Sequence, residues 1–230
     1  MSKKIGLVGC GWLGKPLADL LSQSFFVECF VRDKTEENSS FWQNDIIIVA
    51  INTKDNYLET LRNIAKLTNP TSNIILMSST SVYREFNGEV DERSEIKKPN
   101  LQKEAEGLMK SLRDNLLILR LGGLMGDDRV AGKWKSVSVF EDGEVNYLHK
   151  DDAINIVKTM IEKNIISGIY NLVAPIHPLR SEVHKRNSKD FGFELGGFHG
   201  MTNRTISSQK LIKELNYSFL HPDPLEFWSK

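Results

Sequence analysis

Gly9, Gly11 and Gly14 stand in the spacing Gly-x-Gly-x-x-Gly, directly after the apolar run Ile5-Gly6-Leu7-Val8. From Lys15 onward the apolar residues Leu17, Ala18, Leu20 and Leu21 recur at helical spacing. A strand, a glycine turn and a helix in that order can grip an anion. Gly9 permits the tight turn, Gly11 lets the backbone approach a diphosphate, and Gly14 lets helix and strand pack closely. The helix start adds N–H groups and the positive end of its dipole. The expected ligand is a dinucleotide, with contacts from Gly9, Cys10, Gly11, Trp12, Leu13 and Gly14.

A second strand ends in Phe30-Val31-Arg32-Asp33, about twenty residues beyond the turn, where a fold of this kind reads the adenine ribose. An acidic residue there binds the 2′-hydroxyl of NAD, and an arginine accommodates the 2′-phosphate of NADP. Arg32 comes first, and its planar fork matches a phosphate, so NADP(H) is expected. Asp33 keeps NAD open, since a shift of one residue would put a carboxylate in place. Ala50, Ile51 and Asn52, at the exit of the third strand, complete the expected cofactor contacts.

These residues need a parallel sheet to position them. Apolar runs at residues 25–31, 45–51, 73–77 and 116–121 alternate with helical stripes, one through Leu58, Leu61, Ile64, Ala65 and Leu67 and another through Leu101, Ala105, Leu108 and Leu112. Near-continuous apolar strands separated by helices imply a sheet covered on both faces, with ligands at the carboxyl ends of its strands. The expected fold class is α/β, a Rossmann-type doubly wound parallel sheet with a small C-terminal lobe. Beyond Gly126 the texture changes. Residues 141–144 read as a turn, residues 145–148 as a short strand, residues 151–163 as a helix and residues 169–173 as a last parallel strand. Residues 179–186 read as a solvated amphipathic helix, and the remainder, rich in Gly and Pro, as loops. One domain spanning residues 1–230 is expected, with residues from about 127 to 230 contributing a small substrate-side lobe.

The fourth strand leads into Met77-Ser78-Ser79-Thr80-Ser81-Val82-Tyr83 and then Asn87-Gly88-Glu89-Val90-Asp91-Glu92. This stretch resembles the extended short-chain dehydrogenase/reductases, the NAD-dependent epimerase/dehydratase group. Leu119-Arg120-Leu121-Gly122-Gly123-Leu124-Met125-Gly126, Asn146-Tyr147-Leu148-His149-Lys150-Asp151-Asp152-Ala153 and Gly168-Ile169-Tyr170-Asn171-Leu172 resemble that group's later landmarks in the same order, and Arg204 to Leu211 its C-terminal helix start, with Ser207 or Ser208 as N-cap. The resemblance implies that Ser79 contacts substrate and that His149 secures a loop. Two departures stand out. The glycine turn is similar to that of an atypical branch of the superfamily. The Tyr-x-x-x-Lys dyad of active members, in which tyrosine exchanges a proton and lysine lowers its pKa, has no counterpart: four positions beyond Tyr57, Tyr83, Tyr147, Tyr170 and Tyr217 stand Leu61, Asn87, Asp151, Ala174 and His221. Tyr83 is the candidate substitute as proton donor, and needs a cationic neighbour such as Lys103 to act at neutral pH.

Thirty basic and thirty acidic residues cancel, which leaves no large single-sign field for nucleic acid or an anionic membrane. No run approaches the ~20 apolar residues that span a bilayer. Met1-Ser2-Lys3-Lys4 begins like a signal peptide, but Gly9, Gly11, Lys15 and Asp19 interrupt the apolar run, so a cytoplasmic protein is expected. Cys10 and Cys29 lie in the turn and in the second strand, and no disulfide is expected between them. Cys10 is either a small residue in a crowded loop or a thiol favoured as thiolate by the helix start. His177, His184, His199 and His221 show no metal-ligand spacing, and no metal is expected. The partner is a small molecule; the oligomeric state is not legible, and a homodimer is compatible with the chain.

The expected function is an NADP(H)-binding, epimerase/dehydratase-like oxidoreductase acting on a small carbonyl- or hydroxyl-bearing compound or a nucleotide sugar, without the Tyr-x-x-x-Lys dyad. The alternative is a sensor or regulatory protein that binds NAD(P)H and turns nothing over. A reductase of the β-hydroxyacid or imine type would need a long helical second domain, for which the chain beyond Gly126 is too short.

Overall fold

A computed structural model describes residues 3–30, 40–53, 56–83, 87–96, 98–133 and 139–228. In chain order the elements are β1 (Lys4–Val8), α1 (Gly14–Leu21), β2 (Phe26–Phe30), β3 (Ile46–Val49), α2 (Tyr57–Leu67), β4 (Asn73–Ser79), β5 (Gly88–Val90), α3 (Leu101–Leu112), β6 (Leu116–Leu121), β7 (Gly123–Met125), β8 (Phe140–Gly143), β9 (Tyr147–His149), α4 (Lys150–Glu162), β10 (Gly168–Leu172), α5 (Arg180–Phe191), β11 (Phe198–Thr202), β12 (Arg204–Ile206) and α6 (Gln209–Leu215).

Six strands form the main sheet in the spatial order β2-β1-β3-β4-β6-β10. The chain leaves β1 for β2 on one side and then crosses back to β3 on the other. β1 and β3 are therefore the topological switch point, where open α/β sheets bind their ligands. The pairing is parallel and in simple register: Leu7 opposite Cys29, Val8 opposite Val49, Val49 opposite Leu76. The all-apolar β3, Ile-Ile-Ile-Val, is buried throughout, as a strand covered on both faces must be.

The contacts divide the chain into two compact units. The first comprises Met1–Val82, Ile96–Arg120 and Ile154–Tyr170. Its core joins Phe41, Trp42, Ile47, Val49, Leu61, Ile74 and Met109, which lie at most 4 % exposed, each side chain worth about 1.5–3 kcal/mol of transfer free energy. α2 and α3 reach this core through Tyr57, Leu61, Ile64 and Ala65 and through Ala105 and Met109. Asn100 caps α3, its side chain accepting from the Lys103 amide. Buried Arg113 donates to the carbonyls of Thr68, Asn69 and Ser72 and so closes the chain after α2.

The second unit comprises Tyr83–Glu95, Leu121–Ala153 and Asn171–Lys230. Three two-stranded pairs, β7 with β9, β8 with β11 and β5 with β12, build it around Met125, Ala131, Val145, Ala174, Val183 and Phe227. Residues 141–144, expected as a turn, instead lie largely in β8, because β11, some sixty residues later, supplies a partner strand. Likewise α5 is solvated on only one face; its other face buries Ser181, Val183, His184 and Asn187. Ser208 stands at the start of α6, but its hydroxyl bonds Val173 O and accepts from Val173 N instead of capping the helix.

Candidate functional site

The glycine turn leaves β1 at Val8 and enters α1 at Gly14. Gly9 has φ +102°, which L side chains rarely adopt, and a Cβ on it would lie 2.3 Å from the Ala50 carbonyl oxygen. A Cβ on Gly14 would lie 2.0 Å from the Gly9 oxygen. At Gly11 a Cβ would meet nothing within 4 Å. The three positions thus separate into a turn, an open approach and a close helix contact, the division of labour a diphosphate cradle requires. Lys15 N donates to Gly11 O at 2.9 Å, so the glycine turn runs directly into the first turn of α1, whose N-terminal amides would face a bound anion.

Ala50 is bound into the same corner, its amide donating to Val8 O at 2.8 Å. Ile51 is half-buried and Asn52 exposed just beyond it. Trp12 and Leu13 are half-buried in the turn, Leu13 standing at the N-cap of α1. The switch point therefore brings together Gly9, Cys10, Gly11, Trp12, Leu13, Gly14 and Ala50, with Ile51 and Asn52 following Ala50 in the chain. Arg32, like Asp33, lies outside the described residues.

Cys10 and Cys29 form a disulfide, with Cα atoms 6.1 Å apart. The expectation of separate thiols fails because parallel pairing sets Leu7 opposite Cys29, so the chain turning out of β1 carries Cys10 over the neighbouring strand. That Cα separation falls in the range a disulfide spans. Cys29 is exposed, and the bond ties the glycine turn to β2.

β4 delivers Ser78 and Ser79 to the carboxyl edge of the sheet, both half-buried. Ser79 Oγ accepts from the Ser81 amide at 3.1 Å and stabilises the turn that follows. Ser78 Oγ donates to Glu106 Oε1 at 2.7 Å. Glu106 in turn receives Arg120 Nε at 3.0 Å and a second guanidinium nitrogen at 2.7 Å, with both side chains 4 % exposed. This buried bidentate pair was not foreseen. Glu106 falls on the buried stripe of α3 and Arg120 in an apolar strand, and charges at such positions demand partners. The pair's negative member also raises the neighbouring Tyr57 phenol, pushed up by burial and then by Glu106 to about 12.

In the second unit Tyr83 is fully buried, with its hydroxyl 3.0 Å from Asp91 O and 3.1 Å from Asn171 Oδ1. In the first unit Lys103 donates its ammonium to the Ile96 carbonyl. Both groups are engaged in hydrogen bonds, which proton transfer would have to release. The second unit also holds Tyr147 Oη 2.9 Å from His184 Nε2. His184 is pushed down to about 4, first by burial and then by Arg180, and is therefore a neutral imidazole near pH 7.

Among the described residues no helix is long and apolar enough to cross a membrane. No protein-family model matches the chain. Protein YeeZ of Escherichia coli is 26 % identical over 268 aligned positions, which cover 97 % of this chain and 98 % of that one. Among solved structures, one from Methylobacillus flagellatus, described as an NAD-dependent epimerase/dehydratase of unproven activity, superposes with a TM-score of 0.80 at 20 % identity, over 99 % of this chain and 97 % of that one. UDP-glucuronic acid 4-epimerase from Bacillus cereus, in complex with NAD, gives 0.75 at 17 % identity over 97 % and 96 %. Human epimerase family protein SDR39U1, with NADPH, gives 0.75 at 14 % identity over 97 % of each chain. The chain carries the Rossmann-type fold of the NAD-dependent epimerase/dehydratase structures.

Proposed function

We propose that the chain binds a nicotinamide dinucleotide at its glycine turn, NADP(H) in preference to NAD(H), and acts as an epimerase/dehydratase-like oxidoreductase on a small carbonyl- or hydroxyl-bearing compound or a nucleotide sugar. One observation carries the reading: the sterically enforced turn at Gly9 and Gly14 frames an unobstructed Gly11 at the switch point of the sheet. Proteins of the same fold crystallised with NADPH and with NAD support it. Arg32, one residue past the predicted core of the second strand, supports the 2′-phosphate. The dinucleotide supplies hydride chemistry; the protein's part is placement and proton management. Ser79, at the carboxyl end of β4, is the side chain we assign to substrate contact.

A second reading, a dinucleotide-responsive regulatory protein without turnover, is favoured by the engagement of Tyr83 and Lys103 in structural hydrogen bonds. Both readings start from binding, and Trp12 in the turn is a built-in reporter. Titration with NADPH should quench tryptophan fluorescence saturably and at lower concentration than NADH, and Arg32→Ala should remove the difference. Equal binding of both coenzymes, unaltered by Arg32→Ala, would defeat the NADP(H) assignment. Deuteride transfer from labelled NADPH to a panel of carbonyl compounds and nucleotide sugars then separates enzyme from regulator.

A further inference from the structure

His149 ends β9, Asp151 stands in the first turn of α4, and His221 lies 70 residues further along the chain. One donor atom from each lies within 4.8 Å of the others. Asp151 Oδ2 is 3.7 Å from His149 Nδ1 and 3.7 Å from His221 Nε2. Zinc-class ions bind imidazole nitrogen and carboxylate oxygen at about 2.0–2.2 Å, so atoms at such separations reach one shared ion. We propose that His149, Asp151 and His221 form a binding site for a divalent cation of the zinc class, with its remaining coordination positions open to solvent.

The surroundings hold the donors in place. Buried Asp152 accepts from Tyr217 Oη at 2.9 Å, from Leu220 N at 2.8 Å and from His221 N at 2.9 Å, and thereby fixes the segment that presents His221. The imidazole rings of His149 and His221 lie 3.8 Å apart, and Phe227 packs edge-on against both. Gly126, at φ +125°, brings its backbone against the His149 Nε2 edge, where a Cβ would come within 3.0 Å, so Nδ1 is the nitrogen turned to the cluster. That nitrogen now accepts from the Asp151 amide at 3.2 Å, a bond that a metal would displace.

Asp151 and Asp152 set negative charge beside His149, and the neighbouring ammonium, Lys150, is paired with Asp127. Two imidazoles and one carboxylate suit zinc, cobalt or nickel over calcium or magnesium, which favour all-oxygen shells. Sequence spacing concealed the set because its third member arrives from a distant segment, folded back by Asp152.

Untagged full-length protein, stripped with EDTA, should take up one equivalent of Co2+ with a visible d–d absorption band, and Zn2+ should displace it. His221→Ala and Asp151→Asn should each weaken Co2+ at least about tenfold, an effect metal sites show even for supporting residues. The circular dichroism of both metal-free variants should match the parent, and Zn2+ should raise the Tm of the parent only. A band that fails to saturate at one equivalent, or an affinity unaltered in both variants, overturns the site. Dinucleotide titration of the same samples is read separately, so loss of either inference leaves the other standing.

Discussion

Glu106 and Arg120 face each other as a buried bidentate ion pair, and Ser78 adds a further hydrogen bond to the carboxylate. Removing one partner leaves the other charge without compensation. Glu106→Gln should therefore cost about 3–5 kcal/mol in urea unfolding. Replacing both residues by apolar ones of similar volume should cost much less. A single variant within about 1 kcal/mol of the parent would mean that the pair is not formed.

Gly11 and Gly14 should respond oppositely to a side chain. Gly11→Val, with open space around its Cβ, should leave stability within about 0.5 kcal/mol yet weaken dinucleotide binding at least about tenfold. Gly14→Ala must displace the Gly9 carbonyl, so thermal unfolding should show a lowered Tm even without ligand. If Gly11→Val binds the coenzyme like the parent, the cradle is not where the diphosphate lies.

The Cys10–Cys29 bond closes a loop with a sequence separation of 19, which contains Gly11, Gly14 and α1. Chain-entropy reasoning gives a bond of this span about 3 kcal/mol. Cys29→Ser should lower denaturant stability by about that amount, and a reductant should destabilise the parent while leaving the variant alone. Equal stability of parent and variant under oxidising conditions would contradict the bond.

Tyr83→Phe discriminates between two roles. Removing a hydroxyl within reach of Asp91 O and Asn171 Oδ1 should cost about 1–3 kcal/mol, because it leaves buried acceptors unsatisfied. A catalytic phenol would instead abolish deuteride transfer with Tm preserved.

His184 sets a pH dependence. Its pKa falls from the ordinary 6.5 to about 4 in the folded protein, so the unfolded chain binds the extra proton between those values. The stabilisation is present above about pH 6.5 and is lost as pH falls toward 4. Linkage gives a loss on the order of 2 kcal/mol between pH 7 and pH 5. Tyr147, Phe140, Phe198, Arg180 and Asp142 face the ring, and Asp142 is held below the usual carboxylate range by its bonds to Ser181 and Gly143 against the opposing effect of burial. A stability profile flat from pH 7 to pH 5, or equally steep in His184→Gln, would contradict this.

The parts of the fold legible in the sequence are those specified locally. Ile46-Ile47-Ile48-Val49 reads as a buried strand, and Gly9, Gly11 and Gly14 carry their roles in their spacing. What stayed hidden depends on partners distant along the chain. β8 becomes a strand only because β11 returns to it, and Cys10 meets Cys29 only through the β1–β2 register. Glu106 lies in the helical stripe of α3 and Arg120 in an apolar strand, and only tertiary packing reveals that each requires the other. The strand order follows from long-range pairing, so the switch point was implied by fold class and located only by the β1–β3 contact.

One carboxylate, that of Asp152, collects three donors from residues 217–221. During synthesis the second unit therefore has a buried acid lacking its donors until residue 221 has left the ribosome. Completion of that half waits for residues 217–221, some 65 positions beyond the acid they satisfy, whereas β1 and α1 are neighbours in the chain.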